Sequence, residues 1–432
     1  MIVNAGTLIS MNEDRDVYED VHVVVDNGII SEINDGFVNG EEVVDASDEI
    51  VLPGLIDCHT HTYSLPIRGA PLDVAPQSFY QALVDIWWDV DEAITRADAE
   101  LFALGSAAEL IETGVTSFCD NFSAPNTLPG GLVSVADGVD QTPIRGLLSF
   151  EATARDSKEE AYNGIEANKS FIQSASSGYD RLSGHYCLHT LFTNTPETIE
   201  ECTQQALADN QPIQLHLEEG YVDVHDALSK YGDRPVHVLE SFGLFNADVI
   251  AAHCVFTTES EMEVLAKHDV AIAHNPYSNM NNGVGIMDID TAQDKGITIG
   301  LGSDGWDPNL FEVMRSAVSA HKLRKENPSA VDPGTVLEWA TIGSAEVMGW
   351  EDSVGSIEPG KKADMITLDL GPNPVTAETA PGYVVSAGSP SRLTRTIING
   401  EIVHDTEQQH FLSAEVRSKI GTASKNLWSR LS

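Results

Sequence analysis

A (β/α)8 TIM-like barrel carrying a small β-sandwich built from both chain ends is the α/β architecture this sequence predicts. Eight short apolar runs alternate with helix-like segments over about 250 residues, which is the arithmetic of that barrel. Asn27-Gly28 and Asn399-Gly400, each flanked by alternating apolar residues, mark tight hairpins near the two ends. The predicted division is residues 1–53 plus 356–405 for the sandwich, 54–355 for the barrel and 406–432 for a helical tail.

The elements follow in chain order. "VHVVVDNGIISEIND" reads as two strands around a turn. The barrel opens with GLIDCHT (54–60) and continues through VTSFCDN (115–121), PIRGLLSF (143–150) and SGHYCLH (183–189). PIQLHLE (212–218), DVIAAHC (248–254), VAIAHN (270–275) and ITIGLGS (297–303) complete it. Segments between them, such as "TRADAELFALGSAAELIETG" and "TPETIEECTQQALADN", begin with a Thr cap and an acidic first turn. "KADMITLDL" and "TRTIINGEIVHD" then return to strand texture; two unrelated hairpins are the alternative to one shared sandwich. A doubly wound sheet competes with the barrel, but no G-x-G-x-x-G follows the first strand.

Barrels of this kind carry their chemistry at the carboxyl ends of the strands. Six of the fourteen histidines fall there: His59 and His61 on the first run, then His189, His216, His253 and His274 on the fourth to seventh. Asp304 ends the eighth, in "GLGSDGWDPN". Residues two apart on a strand share a face, so His59 and His61 can grip one ion together. With His216 and Asp304 they make three neutral imidazoles and one carboxylate, a set suited to zinc or iron and not to magnesium. His253 is a further ligand, or a hydrogen-bond partner of the water on the ion. A second ion would need a bridging lysine on a middle strand, and neither 143–150 nor 183–189 contains one, so one metal ion per subunit is expected. "QLHLEEG" supplies a proton carrier in Glu219 or Glu218; strand parity favours Glu218, and the turn into the loop favours Glu219. Trp87, Trp88 and Trp306 are candidates to stack on a flat heterocycle, or are ordinary packing.

"PGLIDCHTH", "HLEE", "AAHC", "AHNPYSNM" and "GLGSDG", in this order and spacing, resemble the amidohydrolase superfamily over nearly the whole chain. Within it the chain is similar to the cytosine/guanine deaminase and triazine hydrolase group. "IWWDVDEAIT" and "CDNFSAPNTLPGGL" look closest to the SsnA-type aminohydrolases. The resemblance implies a mononuclear site on His59, His61, His216 and Asp304, with His253 beside the metal's water and Glu219 as catalytic acid–base. It implies substrate contacts for His189 and His274, and it puts Asp91 where related deaminases hold ribose hydroxyls with a glutamate. The implied reaction is attack of metal-bound hydroxide on a small cyclic amidine or a purine- or pyrimidine-like ring, with release of ammonia. Asp304 takes the water proton and His253 orients the oxygen. Hydrolysis of a carbon–halide or ring amide bond is the alternative on this scaffold. A barrel without catalysis, serving as an assembly subunit, is the alternative of another class, and the intact ligand positions speak against it. A homodimer is the family-level expectation.

The charge balance is extreme. Asp and Glu number 67 against 24 Lys and Arg, a formal net charge of −43 spread along the whole chain. That excludes nucleic acid and anionic membranes as natural partners and leaves a small molecule. No apolar run approaches membrane-spanning length, and the five cysteines have no C-x-x-C pairing, as expected for a reducing cytoplasm. Self-repulsion on this scale is screened within about 3 Å at ~1 M salt, so a halophilic, salt-rich cytoplasm is the expected setting. Dialysis from concentrated KCl into dilute buffer should therefore unfold and inactivate the protein, as followed by circular dichroism. Full stability in dilute buffer would remove the salt argument.

Overall fold

The computed structural model describes residues 1–36, 42–372, 374–406 and 410–431. The chain begins with β1 (Ile2–Ile9), β2 (Val17–Asp26), β3 (Ile29–Asn34) and β4 (Val43–Pro53). Only Gly54 separates β4 from β5 (Leu55–Thr60), which opens the barrel. β6 (Val115–Phe122), β7 (Arg145–Ala152), β8 (Leu182–Gly184), β9 (Tyr186–Leu188) and β10 (Ile213–Leu217) follow. β11 (Val249–His253), β12 (Ala271–His274) and β13 (Ile299–Leu301) complete the parallel set. β14 (Met365–Asp369), β15 (Leu393–Ile398) and β16 (Glu401–Asp405) return to the first sheet.

That first sheet has seven strands in the order β16-β15-β14-β4-β1-β2-β3, so both chain ends contribute to it. It has its own core, including Val3, Val23, Ile30, Val51, Ile357 and Met365. The Asn-Gly turns explain how the ends meet. Asn27 and Gly28 have φ of 50° and 78°, Asn399 and Gly400 of 52° and 73°, the left-handed pair that a two-residue hairpin needs. Both turns bond to Ala363: its N–H donates to Gly28 O at 2.9 Å, and its carbonyl accepts from Gly400 N at 2.9 Å.

The second sheet runs β5-β6-β7-β9-β10-β11-β12-β13, every pairing parallel, with β8 paired to β7 just below β9. His185 lies between β8 and β9 and splits the fourth strand position in two. The barrel closes where β13 meets β5: Asp304 N–H donates to His59 O at 2.9 Å, and Thr60 Oγ1 donates to Asp304 O at 3.1 Å. Gly302 permits that approach, since a Cβ there would lie 2.7 Å from His59 O. The helices between the strands, such as Arg96–Glu112 and Pro196–Asp209, start at Thr95 and Thr195, which close capping boxes. All five cysteines are buried and free.

The last helix, Ala414–Leu431, straps the barrel's upper side. Trp428 Nε1 donates to Pro66 O at 2.7 Å, and Arg430 Nε to Ala93 O at 2.9 Å. At the opposite end of β7, Arg145 clamps the two sheets together. Its Nε and Nη2 reach the Asp364 carboxylate at 2.7 and 3.2 Å, and that carboxylate also accepts from Asn399 N at 2.8 Å. Both side chains are nearly buried, so removing the cation strands a carboxylate out of water. Arg145→Ala should lower the unfolding free energy by about 3–5 kcal/mol in denaturant titration; a loss near zero would show that the clamp is not structural.

Candidate metal centre and substrate pocket

Three imidazoles are aimed by the same device. His59 Nδ1 donates to Gln214 Oε1 at 2.7 Å, His61 Nδ1 to Asn121 O at 2.6 Å, and His216 Nδ1 to His189 O at 2.9 Å. With each Nδ1 proton committed to the protein, the Nε2 lone pairs all face one point. His59 Nε2 has no hydrogen-bond partner, and the Nε2 atoms of His61 and His216 stand 3.3 Å apart. Asp304 Oδ1 completes the group, 3.1 Å from His61 Nε2 and 3.7 Å from His59 Nε2. Ligand atoms of His59, His61, His216 and Asp304 all lie within 4.8 Å of one another, and all four residues are buried.

This arrangement asks for a cation. Two neutral Nε2 atoms facing each other repel unless something positive lies between them. Although burial works against its charge, the neighbouring carboxylates of Asp304 and Glu151 push His61 up to about 10. Burial likewise opposes charge on Asp304, but His59 and His61 hold it well below the usual carboxylate range. The carboxylates thus favour a positive charge on the spot where the donors converge, and three nitrogens with one oxygen suit zinc or a similar transition ion.

Backbone strain helps to aim these groups. Asp304 (φ 60°) and His253 (φ 76°) are non-glycine residues in the left-handed region, both just at the carboxyl ends of strands. His253 Nδ1 bonds Asn279 Oδ1 at 2.8 Å, which turns Nε2 toward Glu219 Oε2 at 3.5 Å. Burial pushes His253 down to about 4, so it is neutral. It groups with Glu219 and Asp304, not with the other three histidines.

The choice between adjacent glutamates is decided by a kink. Glu218 has φ 49°, which breaks strand alternation, so parity with His216 no longer applies. Its carboxylate turns to Arg234 at 2.8 Å, while Glu219 lines the pocket and accepts from Asn282 Nδ2 at 3.1 Å. Burial, reinforced by Asp304, keeps the Glu219 carboxyl well above its ordinary range.

The pocket over these groups is walled by Tyr63, Phe79, Leu83, Trp87, Trp88 and Trp306, with Asp91, Glu151 and His189 on its floor and sides. Trp87 meets Trp306 edge to face, with centroids 6.3 Å apart. Asp91 accepts from Ser123 Oγ at 2.9 Å and pairs with Arg155 at 3.2 Å, whose guanidinium lies 4.9 Å over Trp88. His189 is fixed through Nδ1 to Thr193 Oγ1 at 2.8 Å. His274 is the departure. It was expected to touch substrate, yet it is absent from the pocket wall: its Nε2 meets His321 Nε2 at 3.0 Å, on the helix Leu310–Lys325. The reason is direction: its ring points to the helix layer, where it also packs against Trp339.

Several groups escaped the reading of the sequence. Glu151 lies one residue past the end of the third apolar run, and only its alternation with Ser149 hints that it faces inward. Gln214 shares the strand face of His216 by the same parity. Arg155 lies in no motif quoted above, and Asn279, inside "AHNPYSNM", reaches His253 from the helix Pro276–Asn281.

The chain resembles known proteins along its whole length. The model of the Amidohydrolase family matches residues 50–403. A 5-methylthioadenosine/S-adenosylhomocysteine deaminase of Bacillus cytotoxicus is 31 % identical over 407 residues, 92 % of each chain. An adenosine deaminase structure from Xanthomonas campestris with bound zinc superposes with a TM-score of 0.86 at 23 % identity, over 99 % of this chain and 98 % of that one. Atrazine chlorohydrolase from Arthrobacter aurescens, complexed with zinc, gives 0.82 at 22 % identity over 99 % of both.

The outer hydrogen bonds carry a test. Gln214→Leu removes the acceptor that orients His59, and should weaken zinc binding about ten- to a hundredfold in competition with a chelator. Unchanged affinity would show that His59 is aimed without this acceptor.

Proposed function

The chain belongs to the amidohydrolase family, and on that premise we propose that it is a metal-dependent aminohydrolase. It removes ammonia from a small cyclic amidine or a purine- or pyrimidine-like ring. The observation that carries this reading is a buried carboxylic acid, Glu219, beside the convergence of His59, His61, His216 and Asp304. His59, His61, His216 and Asp304 would hold a zinc or similar ion, which would supply Lewis acidity and bring the pKa of a water from 15.7 toward about 7. The rest is the work of side chains. Asp304 is the base for the attacking water. His253, neutral and opposite Glu219, orients that water's oxygen. Glu219 protonates a ring nitrogen, which makes the carbon electrophilic, and afterwards a proton passes to the departing amine. An amine needs that proton to leave; a halide would not. Trp306, with Trp87 and Trp88, stacks on the ring.

From the relative named as a deaminase we carry over amine removal and not its nucleosides. Asp91 gives Oδ2 to Arg155 and Ser123 and keeps Oδ1 without a partner on the pocket wall. His189 contacts the substrate or the adduct. Residues 54–355 form the catalytic barrel, with 1–53 and 356–405 as its support. We further read the chain as a homodimer in a salt-rich cytoplasm, on its charge and its family. No helix among the described residues is long and apolar enough to cross a membrane.

The experiment is ammonia release from a panel of aminopyrimidines and aminopurines, in concentrated KCl with zinc supplied. Glu219→Gln should retain the metal yet cut turnover at least about a hundredfold. A variant that keeps its activity would move the proton carrier elsewhere. Removal of zinc by a chelator should abolish turnover and its return restore it.

A further inference from the structure

Among the described residues four carboxylates face the pocket, and three have a close donor on at least one oxygen. Asp304 faces His61 and accepts from Ser278 Oγ; Glu219 accepts from Asn282; Asp91 holds Arg155 and Ser123 on Oδ2, with Oδ1 free. Glu151 differs. It is 5 % exposed, its Oε2 has no hydrogen-bond partner, and the nearest nitrogen to Oε1 is His189 Nε2 at 3.5 Å, too long for a good bond. His61 Nδ1, 3.9 Å from Oε2, has already given its proton to Asn121 O. The backbone fixes Glu151 in this position, since Glu151 pairs with Cys187 in the β7–β9 ladder.

A buried carboxylate oxygen left without a donor is costly, and burial accordingly pushes the Glu151 carboxyl above its ordinary range; the pocket is the open side from which a donor that favours the charged form can come. We propose that Glu151 is a specificity-determining residue that accepts a hydrogen bond from an N–H of the substrate, separate from the amine that leaves. This rests on the aminohydrolase reading and narrows its substrate class to rings carrying a second amino or protonated nitrogen on the edge facing β7. A ring that offers a carbonyl oxygen there sets lone pair against lone pair and is rejected. Since His216 already turns its one free nitrogen to His61 and Asp304, the grouping of Glu151 with His189 and His216 is not a second metal site.

The test uses two rings that share a reactive amidine and differ at one position, 2,4-diaminopyrimidine and cytosine. Binding is read by quenching of the pocket tryptophans in zinc-loaded Glu219→Gln, where turnover is suppressed. The diamino ring should bind about tenfold more tightly, the upper scale of one net hydrogen bond. Adding Glu151→Gln should bring the two affinities together with zinc content unchanged at one per chain. Glu151→Asp, which retracts the carboxylate but keeps it, should preserve the sign of the preference at smaller size, and decides the matter if the amide variant does not fold. Equal binding of the two rings, tighter binding of cytosine, no binding of the diamino ring, or a second zinc lost with Glu151 would each overturn the assignment. Ammonia release without the preference would break this inference alone. The preference without ammonia release from any aminoheterocycle would break the aminohydrolase reading instead.

Discussion

Closing the barrel and assembling the metal centre are one event in this chain. The last strand of the parallel sheet must find the first, and it does so through Asp304 N–H on His59 O at 2.9 Å. The two residues that make the seam are both ligand candidates. Asp57 locks the same seam from below, accepting from Ser303 N at 3.0 Å, Ser303 Oγ at 2.5 Å and His59 N at 3.3 Å. Any slip of register there would carry Asp304 away from the imidazoles, because successive side chains point to opposite faces. The distance between His59 and Asp304 along the sequence is therefore bridged by the fold's own closure, with no flexible loop involved.

The same principle of paired duties runs outward. Asn121 gives its carbonyl to His61 and its side chain to Gln214, so one residue of β6 braces both histidines at the end of β5, His61 directly and His59 through Gln214. Asp120 beside it holds Thr62 through N–H at 2.7 Å and Oγ1 at 3.0 Å, fixing the turn that follows His61. Burial pushes Asp57 up to about 7 and Asp120 up to about 6, against the donors that favour their charge. The carboxylates under the site are held by hydrogen bonds from Ser303, His59 and Thr62, and the donors for a cation converge above them. The terminal helix belongs to this scheme as well, since Trp428 holds Pro66, a few residues beyond His61, from the outside.

How far the sequence discloses this depends on range. Strand ends are local events: an apolar run stops, and a polar side chain stands at the rim. His59, His61, His216, His253 and Asp304 were legible for that reason, as were the two Asn-Gly turns. Direction at the rim is not local. Glu218 and Glu219 could be ordered only with the φ of 49° at Glu218, which alternation cannot foresee. His274 stands at a strand end like the others, yet its ring meets His321 from a helix 47 residues away. His321 itself, on a helix and at no strand end, is fully buried. Gln214 was hidden differently: a glutamine in an apolar run carries no chemical signature until its partner His59 is seen.

The acidity of the chain explains why Glu151 in particular was passed over. Among 67 acidic residues a single glutamate is unremarked, since most such groups lie in water, where salt screens them within about 3 Å at ~1 M. Burial separates the few from the many. A carboxylate removed from water feels its neighbours at lower effective dielectric, and added salt reaches it poorly. One chain thus carries two electrostatic regimes: a surface whose repulsion depends on the medium, and a pocket whose charges answer only to one another and to what enters. Burial without a donor on the oxygen marks Glu151 Oε2 and Asp91 Oδ1 in this pocket, and of the two only Asp91 lies in a stretch that a motif brings to notice.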